Sequence, residues 1–172
     1  MGIAELASKR SKDPHVRHGA CIVNSDHIVL GIGYNGLPRG MSDDEFDWNK
    51  ETKGPYIVHA EENAILNSGD ITKLKGSILY LFSEKGYLPC SSCAKSLVQV
   101  GIKKVVIKRF LGKNTDHYNW TPTLDMFEEN RVEIYKIDSN ILDITDLQKQ
   151  VHRNTLCRGV NRNTKNKKGK IK

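Results

Sequence analysis

Short β-prone runs alternate with helical segments through most of the 172-residue chain, and this alternation constrains the fold more than any other feature. Strands that alternate with helices are typical of a layered α/β domain. Two early apolar runs are separated by the turn-forming residues Asn24, Ser25 and Asp26, which predicts a hairpin. We therefore expect a three-layer α/β/α sandwich with a central mixed five-stranded sheet. The predicted strands are residues 20–23, 28–34, 77–82, 104–108 and 132–135, and the predicted helices are residues 2–11, 59–67, 91–100, 121–129 and, as one more candidate, 141–151.

A long polar segment, residues 35–56, separates the predicted hairpin from the next helix. It contains three glycines and two prolines, which favour turns over regular structure. A connection of this length inside a compact domain is usually functional. Because the segment leads directly into His59, we interpret it as part of a functional site.

The basic charge of the chain is concentrated at its end. The sequence has 27 Lys and Arg against 20 Asp and Glu, a net charge of +7 that would ordinarily suggest nucleic-acid binding. However, eight basic and no acidic residues lie in 152–172, which leaves 19 basic against 20 acidic residues elsewhere. We predict one domain of residues 1–151 and a flexible, solubilising basic tail of residues 152–172.

The apolar stretches of the sequence are too short to form a membrane-spanning segment. No stretch approaches the roughly 20 apolar residues of a membrane span, and the N-terminus lacks the apolar block of a secretory signal. We therefore expect a soluble cytoplasmic protein. In a reducing compartment, the C-x-x-C spacing of two of the four cysteines favours a metal-binding or redox role over a disulfide.

A group of metal-ligand residue types lies in the middle of the chain. His59, Ala60 and Glu61 are followed by Cys90, 31 residues after the histidine, and by Cys93 in the run Pro-Cys-Ser-Ser-Cys. An H-x-E sequence followed by P-C-x-x-C is the signature of zinc-dependent deaminases. Two thiolates one helical turn apart and one imidazole supply three ligands for Zn²⁺ and leave the fourth tetrahedral position for water.

Glu61 is the candidate general acid and base. It lies two residues from His59, close enough to take a proton from water, deliver it to N3 of cytosine and later protonate the leaving ammonia. Zinc lets bound water lose a proton near neutral pH, so these residues fit a hydrolytic deamination. We interpret the neighbouring Glu62 as an exposed charge on the helix surface.

A structural zinc site is an alternative interpretation of the same residues. An isolated C-x-x-C pair also occurs in redox sites and as half of a structural site, and Cys21, Cys157 or a histidine could supply the fourth ligand. That interpretation gives Glu61 and the loop before His59 no role, which favours the catalytic one.

Four further segments extend the pattern beyond the zinc signature. They are Ser-Lys-Asp-Pro at 11–14, Gly-Ala-Cys-Ile-Val at 19–23, Gly-Ile-Gly-Tyr-Asn-Gly-Leu-Pro at 31–38 and Ser-Asp-Asp at 42–44. With these segments, about residues 2–138 resemble the deoxycytidylate deaminase family of the cytidine deaminase-like superfamily. The chain departs from the family pattern at Arg17 and His18 and in its tail.

The resemblance implies deamination of dCMP to dUMP and ammonia, which supplies dUMP for thymidylate synthesis, with Zn²⁺ as cofactor. It implies that Asn35 lies near the deoxyribose and that Ser11 and Lys12 lie near the 5′-phosphate, with Tyr118 as a further phosphate candidate. An amide can bond a sugar hydroxyl in both directions, and a hydroxyl or a cation suits a phosphate. A turn asparagine and a surface lysine are the alternative interpretations of Asn35 and Lys12.

Regulation is also implied by the resemblance. Members of the family are commonly homo-hexamers that dCTP activates and dTTP inhibits, with Mg²⁺ on the triphosphate. The loop of residues 35–44 is then the place for an effector site, with Gly36, Arg39, Asp43 and Asp44 as its candidate residues.

Two other functions are compatible with the zinc signature. A polynucleotide deaminase would use the tail for phosphate contacts, and a zinc-stabilised nucleic-acid-binding module would give Glu61 no role. The near-neutral charge of residues 1–151 argues against nucleic acid as a partner in either case.

Overall fold

The computed structural model describes residues 1–108 and 120–137. Tyr118, the helix predicted at 141–151 and the tail of residues 152–172 lie outside the described residues. In the described part of the chain, no helix has the length and apolar character that crossing a membrane requires.

The helices and strands follow the order that the sequence predicts. Short 3₁₀ turns occur at Gly54–Tyr56 and Ile71–Leu74. The elements are α1 (Gly2–Ser8), β1 (His18–Val23), β2 (Val29–Tyr34), α2 (Ala60–Leu66), β3 (Ile78–Ser83), α3 (Ser91–Gln99), β4 (Lys104–Lys108), α4 (Thr121–Glu129) and β5 (Glu133–Ile137).

Helix α1 ends three residues before its predicted end at Ser11. The N–H groups of Arg10 and Ser11 bond to the carbonyls of Ala7 and Ser8, three residues back, at 3.0 and 3.1 Å. This tighter pattern is 3₁₀-like, so the chain leaves the α-helix through a narrow turn before Asp13.

The described strands form one mixed sheet in the order β2-β1-β3-β4-β5. Strand β1 pairs antiparallel with β2 and β3, whereas β3, β4 and β5 run parallel. The hairpin connection explains the antiparallel pairing of β1 with β2, and the helices that cross between β3, β4 and β5 explain the parallel pairings. The mixed five-stranded sheet predicted from the sequence is confirmed.

Helices cover both faces of this sheet. On β1, Ala20 and Ile22 point into the main core, which the sheet shares with α2, α3 and α4. Cys21 and Val23 point to the other face and pack with Ala4 of α1. Adjacent strand residues face opposite sides, so β1 separates the two helical layers of the sandwich.

Two glycines of β2 let α2 lie very close to the sheet. A Cβ atom built at Gly31 would lie 2.1 Å from the carbonyl oxygen of Ala64, and Gly33 approaches Ala60 in the same way. Helix α2 carries Glu61 and begins directly after His59, so this close approach positions the start of the candidate site.

The outer edge of β2 is covered by side chains of α2. The side-chain amide of Asn63 donates to the carbonyl of Tyr34 at 2.8 Å, and that of Asn67 donates to the carbonyl of Ile32 at 2.9 Å. These bonds give the edge-strand carbonyls partners within the same protein and tie the helix to the strand.

Candidate active site

Three residues from two helix starts come together as possible metal ligands. His59 and Cys90 occupy the extended N-cap positions of α2 and α3, and Cys93 lies in the first turn of α3. The Nδ1 atom of His59 lies 3.4 Å from Sγ of Cys90 and 3.3 Å from Sγ of Cys93. The three donor atoms all lie within 4.8 Å of one another.

This donor set fits a zinc ion. With Zn–S of about 2.3 Å and Zn–N of about 2.0 Å, a tetrahedral ion holds a nitrogen and a sulfur ligand about 3.5 Å apart. The observed N···S distances are close to that value. Among the described residues, the group of possible ligands holds no fourth His, Cys, Asp or Glu, as expected of a site with an open position.

One of the candidate ligands, Cys90, already carries a negative charge. Hydrogen bonds from Cys93 and from His59 lower the pKa of Cys90 to about 3 despite its burial, so Cys90 is a thiolate at neutral pH. Hydrogen bonding to the same thiolate raises the pKa of His59 to about 9 and raises that of Cys93. Metal binding would displace the protons of His59 and Cys93.

Glu61 is buried beside the ligands, with 5% of its surface exposed. Burial raises the pKa of its carboxyl group above the ordinary value, although the charge of His59 acts in the opposite direction. Glu61 lines the same cavity as His59 and Cys90. The exposed Glu62 does not line that cavity in the described part of the chain, in agreement with its interpretation as a surface charge.

The cavity has a volume of about 350 Å³, within the range of small-molecule sites. Three lysines are among the described residues that line it: Lys50, Lys53 and Lys85. The Lys53 ammonium forms an ion pair with the buried Asp13. Apart from the metal ligands and Glu61, the described lining charges are therefore mainly positive, which suits an anionic ligand.

Aromatic rings form another part of the cavity lining. The ring of Tyr87 lies 6.1 Å from that of His18 and 6.0 Å from that of Trp120, measured between centroids. Burial, together with the nearby charge of His59, lowers the pKa of His18 to about 4. His18 is therefore neutral at pH 7 and presents an uncharged ring to the cavity.

Sequence comparison identifies the family of this chain. The pattern described as "Cytidine and deoxycytidylate deaminase zinc-binding region" matches residues 1–109, which is more than half of the chain and includes all three candidate ligands and Glu61. The chain belongs to the cytidine and deoxycytidylate deaminase family. This membership confirms the resemblance inferred from the motifs.

Individual relatives agree with the family assignment. Human deoxycytidylate deaminase is 46% identical over 112 residues, which are 62% of this chain and 60% of the human protein. The chain thus spans about three fifths of the length of the human relative that it matches. A deaminase from Aliivibrio fischeri is 34% identical over 146 residues, 81% of this chain and 92% of the relative.

A solved structure shares the fold of this family member. The dCMP deaminase of cyanophage S-TIM5, crystallised in complex with dCMP and dUMP, has a TM-score of 0.58 and 28% identity. The match covers 78% of this chain and 90% of the cyanophage chain. The α/β deaminase fold predicted from the sequence is therefore confirmed.

The structure brings only part of the predicted substrate site of this family member to the cavity. Asn35 lines the cavity, whereas Ser11 and Lys12 are not among the described residues that do. Ser11 is buried and accepts a hydrogen bond from the Asp13 N–H, and Lys12 is exposed. Tyr118 lies outside the described residues.

The amide of Asn35 is already engaged by the chain itself. Its Nδ2 donates to the carbonyl of Val16 at 3.0 Å and, more weakly, to Asp13 at 3.5 Å, while its Oδ1 accepts from the N–H of His18 at 2.8 Å. Both amide hydrogens thus have acceptors, so Asn35 can offer a substrate hydroxyl one lone pair of its Oδ1.

The candidate effector residues of this family member lie away from the cavity lining. Gly36 forms a two-bond bridge with Val58, directly before His59. The guanidinium of Arg39 donates to the side chain of Asn67 at 3.1 Å. Asp43 and Asp44 are exposed, and none of the four candidates is among the described residues that line the cavity.

Sequence reasoning missed the lysines and aromatic residues of the cavity. Lys50, Lys53, Lys85 and Tyr87 lie in loops, where isolated charged or aromatic residues carry no periodic signal. Asp13 enters the sequence analysis only as a member of the Ser-Lys-Asp-Pro segment, without a role of its own. Its place in the Ser-Lys-Asp-Pro segment was the one available signal that it contributes to the site.

Proposed function

We propose that the protein removes the exocyclic amino group of dCMP by hydrolysis, giving dUMP and ammonia. The observation that carries this proposal is that the buried Glu61 lines the same cavity as His59 and Cys90. Relatives named deoxycytidylate deaminase support the choice of substrate, as does the cyanophage enzyme crystallised with dCMP and dUMP.

When bound by His59, Cys90 and Cys93, Zn²⁺ supplies the Lewis acidity that makes water a nucleophile near neutral pH. The chain itself performs the proton transfers. Glu61 takes one proton of the attacking water and delivers it to N3 of the pyrimidine. It then moves the remaining proton from the new C4 hydroxyl to the amino group, which leaves as ammonia as the C4–N bond breaks and the C4 carbonyl forms. Burial of Glu61 limits exchange of these protons with bulk water.

We propose that the ammonium groups of Lys50 and Lys85 bind the 5′-phosphate of the substrate. A phosphate monoester carries a charge of about −1.5 to −2 at pH 7, which two ammonium groups balance. Lys53 lines the same cavity, but its charge is balanced by Asp13. The aromatic lining at Tyr87 and Trp120 offers an apolar surface for the base.

We further propose that the active form is a homo-hexamer that dCTP activates and dTTP inhibits, with Mg²⁺ on the triphosphate and the effector bound at the loop of residues 35–44. The likeness of this loop to the family supports the idea. The bridge between Gly36 and Val58 supports it as well. Because Val58 directly precedes His59, ordering of the loop would change the backbone position next to His59.

The test of the function uses Glu61→Gln with Glu62→Gln as its matched control. Glu61→Gln should lower dCMP turnover by about 10²–10⁴-fold, because proton transfer by one group contributes that much, while zinc content stays unchanged. Glu62 is exposed, so Glu62→Gln should keep activity. The assay is ammonia release from cytidine, CMP, dCMP, dCTP and a cytosine-containing oligonucleotide.

The substrate preference found in this assay distinguishes the proposed function from its alternatives. Preference for dCMP together with loss of turnover in Glu61→Gln supports the proposal. Preference for the oligonucleotide would replace it with a polynucleotide deaminase, and turnover of none of the substrates would favour a structural role for the metal.

A further inference from the structure

One hydrogen-bonded network builds a wall of the cavity. Six of the described lining residues belong to it: Asp13, His15, Val16, His18, Asn35 and Lys53. Asp13 lies at the centre of the network, with 4% of its side chain exposed. A buried carboxylate is stable only when charged or polar partners surround it, so the partners of Asp13 are essential to this wall.

The two oxygens of the Asp13 carboxylate have different partners. Its Oδ1 accepts from the N–H groups of His15 at 2.8 Å and Val16 at 3.3 Å, which closes a local turn. Its Oδ2 accepts from the amide of Asn35 and from the Lys53 ammonium. One oxygen therefore holds the local segment, and the other links it to distant parts of the chain.

Lys53 makes this link from the long loop that precedes His59. Its side chain is 14% exposed and reaches Asp13 across 40 residues of sequence. A second tether lies nearby, where Nε2 of His15 donates to the carbonyl of Trp48 at 3.0 Å. At Lys53 and Trp48 the loop is thus fastened to the wall by an ion pair and a hydrogen bond.

We propose that Asp13 and Lys53 are a positioning pair, which sets the orientation of Asn35 and of the backbone of residues 15–18 and so controls how tightly the substrate is held. Glu61 and the candidate metal ligands lie in α2, in α3 and at the N-caps of these helices, whereas Asp13 and Lys53 belong to other segments of the chain. Loss of the pair should therefore weaken substrate binding more than it slows the chemical step. The kinetic part of the test rests on the proposed function, because dCMP is the substrate used.

Two substitutions break the link in different ways. Asp13→Asn keeps an oxygen for the N–H groups of His15 and Val16 but turns an amide donor toward Lys53 and Asn35. Lys53→Met removes the ammonium and keeps the length of the side chain. Each should raise KM for dCMP at least about tenfold and change kcat less than about threefold, with zinc content unchanged, because a displaced binding wall commonly costs one to two orders of magnitude.

Two further variants serve as controls. Lys53→Arg keeps the charge and should restore KM to within about threefold of the wild type. Lys73→Met removes a lysine from the exposed pair with Asp70, where the N···O distance is 3.7 Å, and should change nothing. A KM of the zinc-loaded Lys53→Met protein equal to that of the wild type would overturn the proposal, even if its melting temperature fell. So would a Lys53→Arg protein as impaired as Lys53→Met.

Hydrogen exchange provides a readout that does not need turnover. Amides of residues 13–18 should exchange faster in Asp13→Asn and Lys53→Met than in the wild type and in Lys73→Met. If the wild type turned over no dCMP, the proposed function would be wrong. The hydrogen-exchange measurement would still test whether Asp13 and Lys53 hold residues 13–18 in place. Unchanged exchange of residues 13–18 in both variants would overturn the positioning role.

Discussion

A Cβ atom at Gly33 would lie 2.2 Å from the carbonyl oxygen of Ala60, the residue between the candidate metal ligand His59 and the proposed acid/base Glu61. Real Cβ atoms do not approach a backbone oxygen so closely. The absence of a side chain at Gly33 thus determines how near the start of α2 lies to strand β2, and with it the position of the two functional residues.

Replacing Gly33 by Ala should therefore displace α2 and, with it, the residues of the candidate site. Because the clash is with backbone, α2 has to move, and overpacking of this kind costs about 1–3 kcal/mol in the free energy of unfolding. Urea unfolding and metal analysis of Gly33→Ala should show lower stability and less than one zinc per chain. Gly54→Ala is the control, since no described atom lies within 4 Å of a Cβ at Gly54. Wild-type stability in Gly33→Ala would contradict this account.

Metal content should depend on two cysteines and not on a third. Wild-type protein purified without chelator should hold about one zinc per chain, and Cys90→Ser and Cys93→Ser should each hold less than about half an equivalent. Cys21 is buried, as Cys93 is, but packs against α1, so Cys21→Ala should keep its zinc. Full metal retention and activity in Cys90→Ser would refute the ligand assignment.

The charge of Asp13 should make stability depend on pH in the acid range. Burial alone would raise the pKa of Asp13, but hydrogen bonds from Lys53, His15 and Val16 outweigh it and hold the pKa below its ordinary value of 3.8. The unfolded chain then binds this proton more readily, so the stabilisation is complete above pH 3.8 and disappears as the pH falls through the lower, folded value.

This dependence can be measured against Asp13→Asn, which cannot ionise at that position. Near pH 6 the variant should unfold with a free energy lower by about 1.5–3 kcal/mol, the usual contribution of hydrogen bonds to a charged group. The difference should narrow as the pH falls below 3.8. A difference that stayed constant down to pH 2 would mean that the charge of Asp13 does not stabilise the folded state.

Arg39 should transmit the effector response without taking part in turnover. The plot of rate against dCMP concentration should be sigmoidal without effector and hyperbolic with dCTP. The coupling free energy between effector and substrate binding should be about 1–3 kcal/mol, or about 5–150-fold in affinity. Arg39→Ala removes the contact to Asn67 on the far end of α2 and should weaken this response at unchanged maximal rate. Arg10→Ala, at another exposed arginine, should respond as the wild type does. Hyperbolic kinetics that neither dCTP nor dTTP alters would exclude the effector site and leave the deaminase proposal intact.

Removal of residues 152–172 should leave dCMP turnover nearly unchanged. The candidate ligands and Glu61 lie well before this segment, and the preceding residues are close to neutral in charge. Steady-state kinetics of the shortened chain test the prediction. A large fall in kcat would show that the tail contributes to the site or to assembly of subunits.

Local patterns in the sequence were sufficient to predict most of the fold. Short apolar, β-branched runs such as residues 104–108 and helices with a proline in the first turn, such as 121–129, are specified by neighbouring residues, so their bounds could be predicted closely. Helix α1 was predicted too long, since its 3₁₀ exit at Arg10 and Ser11 depends on backbone bonding and not on composition.

The candidate metal ligands could be picked out from the sequence for a reason that does not apply to the rest of the cavity. His59, Cys90 and Cys93 are rare residue types at fixed spacing, whereas Lys53 looks like any solvated loop lysine. What makes Lys53 special is a contact with Asp13 across 40 residues, which only the tertiary structure brings about. Ser11 and Lys12 illustrate the converse, because adjacency in a motif does not mean that side chains face the same cavity.

The two asparagines of α2 restrict how copies of this protein can associate. Asn63 and Asn67 already occupy the carbonyls of Tyr34 and Ile32, so a foreign strand laid along β2 would have to displace both amides before it gained a bond. Growth of one continuous sheet from copy to copy is therefore disfavoured at this edge. An assembly that used this region would have to meet through side-chain surfaces, which can be separated again without unravelling a strand.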